Sequence, residues 1–193
     1  MTLTRRQEVS FSIPIFPSGT GAVVSTSAPI ALREVLEYGQ PASRPIWRGS
    51  PARTVLEHKT FSSIAGTSSD RWLTERIKTF QLSATSVPVG SYQEGIQRVL
   101  DGSSAAVFGD ISLLMDAAAR SDASGNLIVL NRYFAYQPLA LTPARNDEES
   151  RLVVDRVLSQ SYASAEFREF FTTWFGPPDE TIVTFFRQTA LPQ

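Results

Sequence analysis

Two short segments combine residue types that could bind a small charged ligand, and each directly follows an apolar, strand-like run. Gly66-Thr67-Ser68-Ser69 follows one run and opens a helical pattern, while Gly109-Asp110 follows Ala105-Ala106-Val107-Phe108. A helix start offers free N–H groups and the positive end of the helix dipole, which together favour a carboxylate. An aspartate at the end of a buried strand is a natural partner for an ammonium group.

Each segment also has a simpler interpretation, since hydroxyl and carboxylate side chains are the usual N-caps of helices. The residues around Thr67 and the carboxylate of Asp110 could each cap the helix that follows. If the strands run parallel, however, both segments lie at one edge of the sheet, where such sheets bind ligands. An anion pocket beside a carboxylate fits a zwitterion such as a free amino acid.

Arg5 and Arg6 are a third candidate, because an arginine can hold a carboxylate in a bidentate pair. Their position near the start of the chain equally suits solvated side chains. His58 stands alone, next to Lys59 on a predicted surface helix, so we expect it to be solvated.

Composition excludes several classes of protein. The 193 residues contain one histidine and no cysteine, which removes disulfides, thiol catalysis, most histidine-ligated metal sites and most hydrolase triads. The net charge of −1 gives no general attraction to nucleic acid. We therefore expect no metal, no cofactor and no nucleic-acid partner. The sequence also shows no signal peptide and no apolar run long enough to span a membrane.

The elements that must position these segments follow from hydrophobic periodicity and turn residues. The pattern predicts helices over residues 29–38 and 52–59, a loop over 40–51, and alternating strands and helices from residue 60 to 130. An S-x-x-E capping box, Ser91 with Glu94, begins one of these helices. This order predicts a mostly parallel sheet with helices on both faces.

Two proline-containing extended segments, near residues 14–24 and 133–142, are interpreted as crossings between two lobes rather than as central strands. Beyond Pro143 the pattern is helical. The first helix, residues 147–160, is expected to bury Leu152, Val153 and Val157, with Val154 as a further candidate. The next contains an apolar stripe that needs a partner surface; its residues are Phe167, Phe170, Phe171, Trp174 and Phe175.

Four segments, in this order and spacing, resemble the periplasmic solute-binding proteins of polar amino-acid ABC transporters (family 3). They are residues 2–14, the turn at residues 64–70, the block at residues 93–110, and the closing helices with Tyr162, Glu166, Phe167, Trp174, Phe175 and Gly176. The sequence departs from the pattern of this family in two ways. It lacks the signal sequence and most of lobe one of such proteins, and its residues 27–59 are longer than the usual connector.

The resemblance implies an α/β, periplasmic-binding-protein-like fold of type II, with one complete lobe plus the C-terminal helices of the truncated other lobe. Lobe two would be residues 19–136, with the extended connector at 27–59. Residues 1–18 would be a remnant of lobe one and the first hinge strand, and residues 137–193 the second hinge strand with the helices of lobe one.

By motif position, Arg5 would pair with the α-carboxylate of a bound amino acid, and Gly66, Thr67 and Ser68 would assist it. Asp110 would bind the α-ammonium group. The resemblance implies a periplasmic substrate-binding component without catalytic residues, with a membrane permease as partner and weakened binding in this truncated chain. Exposed helix faces suggest a homodimer by segment exchange. Two alternatives stay open: a dehydratase-like enzyme on the same fold, and a ligand-sensing module.

Overall fold

A computed structural model describes residues 5–39 and 51–192 of the chain. The chain divides into two compact units. One is Ser18–Tyr136, and the other combines Met1–Pro17 with Gln137–Gln193. Most of the predicted loop at residues 40–51, including Trp47, lies outside the described residues.

The unit Ser18–Tyr136 alternates strands and helices from residue 60 to residue 119, as predicted. Its elements are β2 (Gly19–Ser25), α1 (Ile30–Tyr38), α2 (Pro51–Leu56), β3 (Thr60–Ile64), α3 (Ser68–Thr79), β4 (Thr85–Val89), α4 (Tyr92–Leu100), β5 (Ala106–Asp110), α5 (Ile111–Ala119), β6 (Leu127–Val129) and β7 (Ala135–Tyr136). The predicted helix at 52–59 ends earlier, at Leu56, and His58 adopts a left-handed φ of 58°. His58 is exposed, as expected.

These strands form one mixed sheet in the order β4-β3-β5-β2-β6, with β7 also paired to β2. Strands β4, β3 and β5 run parallel, which confirms the βαβ prediction for residues 60–110. Strand β2 runs antiparallel to β5, β6 and β7.

The crossing interpretation is wrong for residues 19–24, because β2 is an interior strand of this sheet, buried over Gly19–Val24. The glycines that suggested a turn are required by packing instead. A Cβ built on Gly21 would lie 2.7 Å from Cβ of Ile111, and one on Gly19 would overlap the carbonyl oxygen of Ala135. Bare backbone at these positions lets the neighbouring elements approach β2 closely.

Each face of the sheet has its own apolar core. One core gathers α1, α3 and the ring of Phe108, which packs edge-on against Phe61 and Phe134. The other joins α4 and α5 to β2 and β5 through Ile96, Val107 and Leu114. The sheet is therefore covered by helices on both sides, as the sequence predicted.

The capping box at α4 forms with one shift of partner. Ser91 accepts a hydrogen bond from the backbone N–H of Glu94 at 3.1 Å. In return, a carboxylate oxygen of Glu94 accepts a hydrogen bond from the N–H of Gly90 at 2.8 Å. A regular capping box would use the N–H of Ser91 instead.

In its described residues, the second unit has two short strands, three α-helices and the short 3-10 helix Arg5–Gln7. The strands and α-helices are β1 (Pro14–Phe16), β8 (Leu139–Ala140), α6 (Glu148–Ala163), α7 (Phe167–Phe175) and α8 (Glu180–Thr189). Strands β1 and β8 pair antiparallel. The helices begin near the predicted positions, with Asp147 and Asp179 as N-caps of α6 and α8.

The orientation predicted for α6 is wrong. Leu152, Val153 and Val157 are 57%, 60% and 54% exposed, whereas Asp155 and Ser159 are buried. Asp155 accepts a hydrogen bond from the N–H of Ile13 at 2.8 Å and pairs with Arg151 at 3.0 Å. These polar contacts, which hydrophobic periodicity does not register, decide which face of α6 points inward.

The apolar stripe of α7 is only partly covered. Phe171 is buried and stacks on Phe16 of β1 with ring centroids 6.3 Å apart. Phe170, Trp174 and Phe175 remain 65%, 71% and 60% exposed. A large aromatic surface of this unit therefore has no cover among the described residues.

Replacing Gly21 with alanine should destabilise the protein by about 1–3 kcal/mol, because the new methyl group must displace Ile111 in a packed core. Urea unfolding of Gly21→Ala against the wild type measures this loss. Gly125→Ala is the matched control, since a Cβ at Gly125 meets open space. Equal stability of the two variants would contradict the packing argument.

Tyr162 should make the protein sensitive to alkaline pH. Burial, with a smaller contribution from the charge of Asp155, raises the pKa of Tyr162 to about 12. Its hydroxyl donates to the carbonyl oxygen of Pro14 at 2.9 Å. An unfolded tyrosine has a pKa of about 10. The stabilisation is therefore complete below about pH 10 and is lost as the pH rises through 12.

The expected loss is at most about 2 kcal/mol, because the side chain is partly solvated. Denaturant unfolding between pH 8 and pH 12 should show a steeper decline for the wild type than for Tyr162→Phe. Tyr38→Phe, at an exposed tyrosine, should follow the wild-type curve. Parallel curves for wild type and Tyr162→Phe would refute the assignment.

Candidate functional site

The predicted ligand-binding segments of the larger unit meet at one edge of its sheet. Strands β3 and β5 run parallel, so the turn after Ile64 and the end of β5 at Asp110 lie at the same edge. Strand β2 begins there too, with Thr20 as the register partner of Asp110. Parallel topology therefore brings together residues that lie far apart in sequence.

The turn before α3 is held by its own hydrogen bonds. Thr67 is the N-cap: its hydroxyl accepts from the N–H of Asp70 at 3.3 Å and donates to the carbonyl oxygen of Ile64 at 2.7 Å. The N–H of Gly66 donates to Asp70 at 3.2 Å. Gly66 has φ +71°, a left-handed conformation that favours glycine. The capping interpretation thus holds for Thr67, and the Gly66 amide has an internal acceptor.

Ser68 differs from its neighbours in this turn. In the part of the chain that the structure describes, its half-buried hydroxyl makes no hydrogen bond. It lies on the first residue of α3, at the positive end of the helix dipole. Of the three predicted residues in the turn, Ser68 has a side chain with hydrogen-bonding capacity to spare.

Thr20 connects the α3 turn to Asp110, a role that sequence analysis missed. Its hydroxyl lies 3.0 Å from that of Ser69, and both side chains are buried. Because Thr20 is also the cross-strand partner of Asp110, it links the first turn of α3 with the end of β5. The short apolar run Ala22-Val23-Val24 was the available signal for a buried strand, but the nearby glycines obscured it.

Asp110 accepts three hydrogen bonds. One carboxylate oxygen accepts from the N–H and the hydroxyl of Ser112, at 3.0 Å and 2.5 Å, which makes Asp110 the N-cap of α5. The other accepts from the hydroxyl of Ser18 at 2.7 Å. A carboxylate has about four acceptor sites. The half-buried Asp110 therefore combines a capping role with capacity for one further donor.

Tyr92 is a second residue that the sequence did not indicate. Its phenolic oxygen accepts from the backbone N–H of Asp110 at 3.3 Å. Burial raises the pKa of Tyr92, and the negative charge of Asp110 adds to this effect. The phenol therefore stays neutral at physiological pH. Gly109 makes room for it, because a Cβ there would lie 2.7 Å from the ring.

Arg5 belongs to the other unit, in the short 3-10 helix Arg5–Gln7. It is exposed, as is Arg6. The contacts described above all lie within Ser18–Tyr136, so the role of Arg5 toward a carboxylate stays a prediction.

The described residues contain neither a metal-binding cluster nor a helix suited to a membrane. Across residues 5–39 and 51–192, no three His, Cys, Asp or Glu side chains are grouped so as to hold a metal ion. None of the helices in these ranges has the length and apolar character that crossing a membrane requires.

Comparison with known proteins identifies the fold. No family model and no curated protein matches the sequence. Solved structures do match. An ancestral arginine-binding protein bound to arginine has TM-score 0.64 and 16% identity, over 91% of this chain and 68% of its own. A lysine-bound protein from Wolinella succinogenes, assigned to an ABC transporter, has TM-score 0.67 and 18% identity over 95% and 69%.

A third similar structure is an ancestral amino-acid-binding protein described as a precursor of cyclohexadienyl dehydratase, with TM-score 0.62 and 19% identity. The match covers 64% of that protein and 91% of this chain. The present chain thus spans about two thirds of these proteins. The expected periplasmic-binding-protein-like α/β fold is confirmed, and at these identities the similarity is one of fold.

The contact between Thr20 and Ser69 should show energetic coupling. Thr20→Val and Ser69→Ala should each destabilise the protein by about 1–3 kcal/mol, because each leaves the other hydroxyl buried without this hydrogen-bond partner. The double variant should lose less free energy of unfolding than the sum of the two single losses, by at least about 0.5 kcal/mol. A urea-unfolding double-mutant cycle measures this coupling, and strictly additive losses would contradict the contact.

Proposed function

We propose that this chain, which has the periplasmic-binding-protein-like fold, is the substrate-binding component of an amino-acid ABC transporter. It would hold a free amino acid by its α-carboxylate and its α-ammonium group. The observation that carries the proposal is the pair of buried contacts through Thr20, which fix the start of α3 and the end of β5 at one sheet edge. The edge thus presents groups of opposite electrostatic character side by side.

Asp110 supplies the negative part of this arrangement. Three donors already orient its carboxylate, and the remaining acceptor site suits one N–H of an ammonium group. Among the described residues, the donors around Asp110 are neutral hydroxyl and amide groups, and no cation pairs with its negative charge. A ligand ammonium group would compensate this charge.

Ser68 and the first turn of α3 supply the positive part. The Ser68 hydroxyl and the dipole of α3 favour a carboxylate in front of this turn. The backbone of Gly66 and Thr67 shapes the turn, and the left-handed Gly66 leaves open space where a side chain would stand. Arg5 would add a bidentate pair to the same carboxylate, as the sequence resemblance implies.

Binding should be weaker than in a complete two-lobed protein. The chain spans about two thirds of the similar solved structures, and the exposed aromatic side chains of α7 offer a surface that further polypeptide would cover. A ligand enclosed from one side only keeps more of its hydration and makes fewer contacts. A membrane permease as partner and a periplasmic location are part of the same proposal.

A dehydratase-like enzyme is the alternative that the third solved structure brings forward. Such chemistry needs a general base whose pKa lies near the working pH. Tyr92, the titratable side chain in contact with Asp110, has its pKa shifted upward and away from that range. Tyr92 thus acts as a neutral hydrogen-bonding group beside Asp110, which favours binding over catalysis.

Thermal unfolding with a panel of L-amino acids at millimolar concentration tests the proposal. The panel includes arginine, lysine and glutamine. A ligand at 100 times its dissociation constant should add about 2.7 kcal/mol of stability. We expect a higher melting temperature with one or a few amino acids, and loss of that increase in Asp110→Asn, which keeps an acceptor for α5 but removes the charge.

Asp116→Asn is the matched control. It makes the same change on α5, at an exposed carboxylate that pairs with Arg120, so the ligand response should be retained. The proposal fails for this chain if no amino acid raises the melting temperature, or if Asp110→Asn responds as the wild type does.

A further inference from the structure

The outward side of α6 is unusual in exposing two aliphatic residues one helical turn apart. Val153 and Val157 are 60% and 54% exposed, while Asp155 and Tyr162 on the opposite side anchor the helix to its own unit. We call the surface formed by Glu149, Val153, Arg156, Val157 and Gln160 the α6 ridge. Exposed valines at this spacing form a continuous apolar strip along a helix.

The charges on the α6 ridge have opposite signs on the two sides of Val153 along the helix. Glu149 precedes Val153 by four residues, and Arg156 follows it by three. Both are exposed, and neither forms an ion pair within the described residues. The nearby Arg151 differs in this respect, because it pairs with Glu148 and Asp155.

This arrangement is complementary to itself under a twofold rotation. If two α6 helices pack antiparallel with the axis beside Val153, the two Val153 side chains meet. Glu149 of each copy then lies next to Arg156 of the other, so that two ion pairs flank an apolar centre. Isologous interfaces have this symmetry, in which each contact occurs twice. A parallel arrangement would instead place like charges together.

We propose that the α6 ridge is the interface of an antiparallel homodimer. The occupant is a second copy of this chain, because its own α6 ridge supplies both the matching valines and the matching charges. Leu152 and Leu191, 57% and 50% exposed, line a groove of about 470 Å³ beside Arg156 and extend the apolar surface. This pairing of intact folded units replaces segment exchange, which nothing in the structure supports.

The dimer should be weak and should dissociate on dilution. One helix pair buries less than the roughly 800 Å² per partner of a standard stable interface. The competing apolar surface of the same unit is formed by the exposed aromatic side chains of α7, Phe170, Trp174 and Phe175.

Charge reversal tests the geometry. Glu149→Arg gives both charged positions of the ridge a positive charge, and Arg156→Glu gives both a negative charge, so each variant faces like charges in its own homodimer. Each variant alone should weaken self-association at least tenfold in sedimentation equilibrium. Circular dichroism should show unchanged folding, since both positions are exposed.

An equimolar mixture of the two variants should restore association. In the mixed dimer, the two basic side chains of the Glu149→Arg copy lie opposite the two acidic side chains of the Arg156→Glu copy. Both ion pairs across the interface are then present again, which a nonspecific effect of either substitution would not produce.

Three results would overturn the proposal. The wild type could remain monomeric up to millimolar concentration, the single variants could associate like the wild type, or the mixture could fail to recover. Trp174→Ser alters the exposed aromatic surface of α7 instead, and we expect this variant to dimerise like the wild type. Loss of association in Trp174→Ser, with no effect of the charge reversals, would assign the interface to α7 and refute the α6 ridge. These outcomes are independent of amino-acid binding at Asp110.

Discussion

Strand β2 must fit between two neighbouring strands and beneath helices on both faces, with almost no space at its first positions. Gly19 and Gly21 meet this constraint, because any side chain there would collide with Ala135 or Ile111. Thr20, between them, has a buried hydroxyl that meets Ser69. The sheet order, the closeness of α5 to β2 and the meeting of the α3 turn with Asp110 all depend on β2 occupying this position.

The smaller unit depends on a different kind of constraint. The negative charge of the buried Asp155 carboxylate must be compensated, and Arg151 and the N–H of Ile13 provide this compensation. The hydroxyl of Ser159 accepts a hydrogen bond from the N–H of Leu191 at 3.1 Å. These hydrogen bonds attach the segments around Ile13 and Leu191 to α6. Burying a carboxylate without such partners would cost several kcal/mol. The polar face of α6 therefore points inward, and Val153 and Val157 are left outside, while Val154 is half-buried.

The candidate site follows from ordinary capping interactions placed at one sheet edge. Thr67 and Asp110 each cap a helix, so neither residue alone would indicate a ligand. What distinguishes the edge is the remaining hydrogen-bonding capacity of its groups. In the described part of the chain, the Asp110 carboxylate has no cationic partner and keeps one acceptor site, and the Ser68 hydroxyl lies at a helix start. The proposed assignment places the ammonium group at Asp110 and the carboxylate at the start of α3.

The sequence by itself determined the local elements of this protein. The periodicity of residues 60–130, the capping residues Thr67, Ser91 and Asp110, and the helices beyond Pro143 could be predicted because they depend on neighbours within a few residues. Only the tertiary structure decided that β2 lies inside the sheet and that α6 turns Val153 and Val157 outward. It also decided that the predicted site is surrounded by Thr20, Ser18 and Tyr92. Those outcomes depend on contacts between residues 18 to 142 positions apart, such as Tyr92 with Asp110 and Ile13 with Asp155, for which hydrophobic pattern and turn residues contain no signal.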